Sequence, residues 1–220
     1  MLLFKPILAG ATLPDRLIAC IGAAVAIALT IIACAHLGLT AADLPVIVAP
    51  LGASAVLVFA VPASPLAQPW PVIGGNVVST LVGVAAFRLI PGMPVAAGVA
   101  VGGAILVMSL LRCLHPPGGA AALTAVIGSQ SIHAAGFGFA FAPVAINSMA
   151  LVLVAVVFHR LTAHSYPHRR AAVATPAQPR FQPADIDAAL TDMHESFDIG
   201  REDLDALLEH AERHAAARAG

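Results

Sequence analysis

The run Arg112-Cys113-Leu114-His115-Pro116-Pro117-Gly118-Gly119-Ala120 gathers the residue types best suited to handling a small charged solute. Arginine carries a permanent positive charge, and histidine exchanges a proton near neutral pH. A proline pair cannot continue an incoming helix but suits the first turn of an outgoing one, and glycine allows close backbone approach. A helix opening near Pro117 is expected to point unpaired N–H groups and the positive end of its dipole at the space before it, for which an anion is the natural guest. Pro50-Leu51-Gly52-Ala53-Ser54 reads as a second opening of the same kind, with Ser54 adding a hydroxyl, and Asn76 adds an amide nearby. The expected substrate-binding set is therefore Arg112, His115, Pro116, Pro117, Gly118, Gly119, Pro50, Gly52, Ser54 and Asn76. Blander roles compete at each position. Arg112 could snorkel to a headgroup, His115 could cap or pack, and Ser54, Asn76 and Asn147 could be interhelical hydrogen-bond partners.

These residues sit among elements that only a bilayer can accommodate. Hydrophobic residues make up 59% of the chain and charged ones 10%, too few to cover a water-facing surface. Four stretches reach the roughly 20 apolar residues that cross a bilayer core as a helix: Leu17 to Leu39, Val72 to Ile90, Pro94 to Leu111 and Phe137 to Phe158. The first is too long for the apolar part of a signal peptide and is followed by further spans, so it reads as a membrane helix. Two shorter apolar stretches, Pro50 to Val61 and His115 to Ile127, begin at helix breakers and read as short re-entrant or half helices. Irregular backbone at membrane depth requires a protein or wet interior around it, which marks both breaks as interior. Gly74-Gly75 and the glycines from Gly98 to Gly103 are expected to permit close helix packing.

The short segments resemble each other at an offset of 66, pairing Pro50 with Pro116, Gly52 with Gly118, Ala55 with Ala121 and Leu57 with Leu123. Their flanks follow, Pro71-Val72 and Asn76 matching Pro143-Val144 and Asn147. The chain thus reads as two copies of span, short helix, span, and broken helices in corresponding positions are a pointer to transporter sites. With re-entrant short helices, Arg16, Arg88 and the Arg160, Arg169, Arg170 group share one side, which the excess of cytoplasmic arginine and lysine in membrane proteins makes cytoplasmic together with both termini.

Beyond the spans the composition changes. Residues 1–16 form an N-terminal segment, 17–165 the transmembrane domain, 166–183 a proline-marked linker and 184–220 an amphipathic helical tail. Ile186, Leu190, Met193 and Phe197, then Leu204, Leu207, Leu208 and Ala211, recur at helix spacing among acidic residues. Cys20, Cys34 and Cys113 are expected to be buried free thiols, since no pair has metal-site spacing. His159, His164 and His168 follow the last span beside arginines and are expected to face solvent or headgroups. Carboxylates are scarce before the tail, only Asp15 and Asp43, and no Walker A, HExxH or nucleophile-elbow motif occurs. An enzyme or an ATP-driven pump is not expected, and no cofactor, metal or nucleic-acid partner is implied.

Pro50-Leu51-Gly52-Ala53-Ser54-Ala55, Ser64-Pro65-Leu66-Ala67-Gln68-Pro69, Gly74-Gly75-Asn76 and His115-Pro116-Pro117-Gly118-Gly119-Ala120, in that order, resemble the HPP family of integral membrane proteins over about residues 10 to 165. The resemblance implies four transmembrane helices and, from members associated with nitrite transport, a small monovalent anion as substrate. Asn76 stands where many relatives have histidine, which removes a protonatable group there. The tail resembles the stretch that leads to a pair of CBS modules in longer relatives, modules not found in this sequence. The expected protein is an all-α nitrite-class anion transporter or channel of a bacterial inner membrane, most simply a homodimer. The alternative is a membrane sensor or scaffold that presents the tail to a partner.

Overall fold

Apolar chain in lipid must satisfy its backbone internally, and the helix does so within one segment. The computed structural model describes residues 12–36, 44–162, 165–169, 181–193 and 197–219, and all regular structure among them is helical. The first of two units, Met1–Pro167, contains α1 (Leu13–His36), α2 (Leu44–Ala60), a 3-10 turn (Pro65–Ala67), α3 (Pro69–Leu89) and α4 (Met93–Leu110). It continues with α5 (Pro116–Ile127), the short α6 (Gln130–Ala135), a π-helical segment (Ala140–Ala145) and α7 (Ile146–Leu161). Four helices are long and apolar enough to cross a membrane, over Leu13–Ile32, Pro69–Leu89, Met93–Leu110 and Ala140–Leu161. The last is interrupted, because Ala142 ahead of Pro143 has non-helical backbone angles (φ −129°, ψ 110°).

Cross-chain hydrogen bonds fix the direction of each helix. Arg16 Nη1, in the first turn of α1, donates to Ala60 O at the end of α2 (2.7 Å). The Tyr166 hydroxyl, just past α7, donates to Ala67 O just before α3 (2.9 Å), and Trp70 Nε1 in the first turn of α3 donates to Leu111 O just past α4 (3.2 Å). At the opposite end, Arg88 lies 5.0 Å over the Phe137 ring and Phe87 stacks on His133, joining the end of α3 to the residues before α7. The chain therefore reverses at every junction among α1, α2, α3, α4, α5 and α7. This corrects the expected sidedness: Arg16 and Arg160 share one end and Arg88 lies at the other. The cause is α2. Its 17 residues begin at Leu44, pass through Pro50 and rise about 25 Å at 1.5 Å per residue, which returns the chain to its starting end. Pro50 is thus inside a helix and does not open one.

The halves α1–α2–α3 and α4–α5–α7 pack in a two-fold pattern, α1 on α2 and α7, α4 on α5 and α3, with α2 against α5 in the middle. The tightest seam joins α3 to α5. Gly75, Ser79 and Gly83 recur every fourth residue of α3, and a Cβ at Gly83 would collide with the Ala122 backbone, while one at Gly75 would lie 2.6 Å from His115 Cβ. Small-residue spacing of this kind brings backbones together where no hydrophobic effect separates helix from lipid. Gly74 rests against the Trp70 ring. Gly98 and Gly102 do not serve as expected, since a Cβ on either meets no atom within 4 Å among the described residues.

At the end of α4 the chain turns in a Schellman motif: Cys113 N donates to Met108 O (2.9 Å) and Arg112 N to Ser109 O (3.2 Å). Arg112 occupies the left-handed position usual for glycine (φ 54°). Its side chain is exposed and has no partner among the described residues. Cys113 is buried as expected, whereas Cys20 is exposed on α1; the Cys34 side chain lies outside the described residues.

The second unit, His168–Gly220, holds α8 (Pro183–Met193) and α9 (Arg201–Ala219). Arg201 ties them together by pairing with Asp187 (2.9 Å) and with Asp205, and His168 Nε2 bonds Asp203 Oδ1 (2.9 Å). Phe181, Ile186, Leu190, Met193, Phe197 and Leu204 line an apolar groove of about 680 Å³.

Candidate functional site

Prolines strip N–H donors from the backbone, and the carbonyls they orphan are served by side chains from distant elements. Val58 O, whose helical partner would be Pro62, accepts from His159 Nε2 (3.0 Å), and Ala67 O, whose partner would be Pro71, accepts from Tyr166. His159 is consequently buried and stacked on Phe59, not solvated as its neighbouring arginines suggested. The Leu66 carbonyl, in the 3-10 turn, is met by His115 Nδ1 at 2.8 Å. A carbonyl only accepts, so Nδ1 carries a proton and Nε2 is the variable nitrogen.

Nε2 lies 2.8 Å from Ser54 Oγ. Ser54 Oγ is also 3.0 Å from Pro50 O and receives a hydrogen bond from Asn76 Nδ2 (3.3 Å). Asn76 Nδ2 reaches Ser148 Oγ as well (3.2 Å), and Thr80 Oγ1 donates to the Asn76 carbonyl (2.8 Å). One polar chain thus runs from the 3-10 turn through the start of α5 to α2, α3 and α7. His115, Ser54 and Ser148 are 0% exposed and Asn76 is 2% exposed, so the chain is sealed from the surroundings.

The chain ends at a cavity lined by Pro50, Leu51, Asn76, Thr124, Phe139 and Ser148, among others, offering about 10 Å³, close to the space one water requires. Asn76 Oδ1 has no hydrogen-bond partner among the described residues. Ser148 accepts from Asn76 and has no acceptor there for its own proton. Two residues that line the cavity therefore carry an unmatched acceptor, Asn76 Oδ1, and an unmatched donor, the Ser148 hydroxyl. Most buried polar groups are paired, so orphans on residues that line a cavity at membrane depth point to a place for a guest.

Of the expected set, Ser54, Asn76 and His115 come together, and Pro50 lines the cavity. Pro117 and Gly118 are buried in the α3–α5 seam. Gly119 and Gly52 are half-buried and Pro116 is exposed. Arg112 is not brought to the cluster. The first turn of α5 also differs from expectation as an anion cradle. Pro116 and Pro117 carry no N–H, and Gly118 N already bonds His115 O (2.8 Å), so the unpaired donors are largely absent. Ser148 and the Leu66 carbonyl were not singled out from the sequence. Ser148 had one signal, its place beside Asn147, the repeat counterpart of Asn76.

A bundle of apolar helices alternating in direction around a sealed polar chain defines a polytopic integral membrane protein. Residues 9–167 match the family described as HPP, transmembrane region, and the chain belongs to that family. It is similar to two transmembrane proteins of Dictyostelium discoideum. One is 38% identical over 57% of this chain and 46% of its own length; the other is 41% identical over 48% and 35%. The chain spans less than half the length of these curated relatives. No solved structure matches it.

Proposed function

We propose that the membrane unit is a transporter or channel for a small monovalent anion of the nitrite class, which passes through the cavity beside Asn76 and Ser148. The observation that carries this is Ser148, a cavity-lining residue whose hydroxyl proton has no acceptor among the described residues, at the end of a hydrogen-bonded chain that runs through five elements. Fixed positive charge plays no part in the cluster. The guest is held by neutral donors and acceptors, as suits a solute that must also leave. A three-atom anion exceeds the space present, so passage requires the wall formed by Phe139 and Val144, on the kinked segment around Ala142, to move. Arg16, Arg112 and Arg160 lie at one end of the bundle and Arg88 at the other, an imbalance that supports a cytoplasmic location for the first end.

Purified full-length protein in liposomes should take up nitrite faster than empty liposomes. Asn76→Leu, which keeps the volume and removes the amide, should reduce that excess at least about tenfold, the cost of one lost polar contact of about 1.4 kcal/mol. Flux equal to that of empty liposomes would exclude the proposal. The apolar groove of the second unit favours a second reading, a scaffold that recruits a partner through its tail. Deleting residues 171–220 separates the two, because a transporter keeps its flux and a scaffold loses its function.

A further inference from the structure

The two helices of the second unit leave an apolar stripe that they do not cover between them. Ile186, Ala189, Leu190 and Met193 recur at i, i+3, i+4 and i+7 on α8, Leu204 and Leu208 at i and i+4 on α9, and all six line the groove of about 680 Å³. Three further measures of exposure decide how open it is: of the residues lining it, Phe181 keeps 52% of its surface, Met193 54% and Phe197 48%. Large apolar side chains gathered and exposed in this way mark an interaction site, which single scattered ones do not. The walls are held without an occupant, because Arg201 pairs with Asp187 and Asp205, and Glu212 Oε1 accepts from Phe181 N (2.9 Å).

Charge selects the occupant. Residues 181–220 carry ten carboxylates against three arginines, a net charge of −7 with the histidines neutral. Asp185 and Asp198 lie in the groove lining itself, and no lysine or arginine does among the described residues. A second copy would bring the same negative charge against its own kind, and an anionic lipid surface would be repelled likewise. A small apolar molecule would use the floor of the groove and leave its charge unused. A helix with apolar side chains on one face and lysines or arginines beside them meets both features at once, the apolar face filling the groove and the cations facing the acidic margin.

We propose that the groove between α8 and α9 docks a basic amphipathic helix of a partner protein. The apolar face of that helix lies on Ile186, Leu190, Met193 and Leu204, and its flanking cations meet Asp185 and Asp198. Docking here rests on the reading of the tail as a recruiting surface, for which it supplies the chemistry of the partner, and is independent of passage through the membrane unit.

The test is the fluorescence anisotropy of a labelled peptide of about 18 residues, five helical turns, made of leucine and lysine with the leucines on one face. It is added to the full-length protein in an uncharged detergent, and the signal from protein lacking residues 171–220 is subtracted, which removes binding to detergent and to the membrane unit. Saturable binding is expected, weakened about tenfold as salt rises from about 0.05 to about 0.5 M, and absent for a peptide with glutamate at every lysine position. Met193→Gln removes an apolar contact from a side chain already more than half exposed, so the helices should stay paired while binding weakens about tenfold. Asp198→Asn should weaken binding and flatten its dependence on salt. Equal binding of the two peptides, or none beyond that of the shortened protein, overturns the proposal. A full-length dimer that Met193→Gln dissociates would give the groove to a second copy and overturn it too. None of these results decides the scaffold reading, which stands or falls on whether function survives deletion of the tail.

Discussion

His115 Nε2 lies 2.8 Å from Ser54 Oγ although the two residues are 61 positions apart, and the opposite ring nitrogen holds the Leu66 carbonyl. One imidazole thereby joins the helix before the first repeat's turn, the turn itself and the start of the second repeat's short helix. The His-Pro-Pro sequence gives this geometry a local cause, since the prolines set the first turn of α5 and leave the histidine as the extended residue before it (φ −141°, ψ 106°).

Ser54→Ala should therefore be felt by two partners at once. Asn76 Nδ2 loses one acceptor and His115 Nε2 loses its contact, both sealed from water. The expected loss of stability is about 1–3 kcal/mol, measured as a lower unfolding midpoint in detergent. Ser109→Ala offers the comparison: this serine bonds Ile105 O on an exposed face of α4, and its loss should change the midpoint little.

The two kinds of glycine should separate cleanly. Gly83→Ala drives a methyl group into the Ala122 backbone across the α3–α5 seam and should cost about 1–3 kcal/mol, the range for overpacking. Gly98→Ala meets open space on α4 and should be neutral or favourable within the chain by up to about 1 kcal/mol, the helix-propensity difference. Unfolding midpoints of the two variants, measured together, check this.

Arg112→Gly should raise stability by up to about 1 kcal/mol, because the left-handed conformation that arginine holds with strain is open to glycine. Nitrite uptake should be retained, since the guanidinium stands outside the polar chain. A thermal scan and a flux assay on the same preparation give both readings.

The four long spans were legible because a run of apolar residues with no interior charge has few alternatives to a helix in lipid. The seam glycine at 75 and the grouping of Ser54, Asn76 and His115 were partly legible for the same reason, small or polar residues amid such runs standing out, whereas Gly83, a lone glycine in a long apolar span, carried no such signal. What could not be read was direction. Pro50 looked like a helix start, yet Leu44 to Ala49 supplied an apolar turn upstream that the helix could use despite the missing N–H. Arg112 looked like the charge of the site, but the Schellman turn ending α4 aims its side chain away while Cys113, the next residue, turns in. The burial of His159 had one signal in the sequence, the proline at 62 that orphans the Val58 carbonyl.

The path itself can be tested at one residue. With Cys20, Cys34 and Cys113 replaced by alanine, Ser148→Cys puts a thiol on the cavity wall, where the native hydroxyl lies 3.2 Å from Asn76 Nδ2. If the solute passes there, a small water-soluble thiol reagent should block nitrite uptake by this variant, and excess nitrite should slow the block. Uptake that continues unchanged, with mass analysis showing the introduced thiol fully modified, would contradict passage through the cavity.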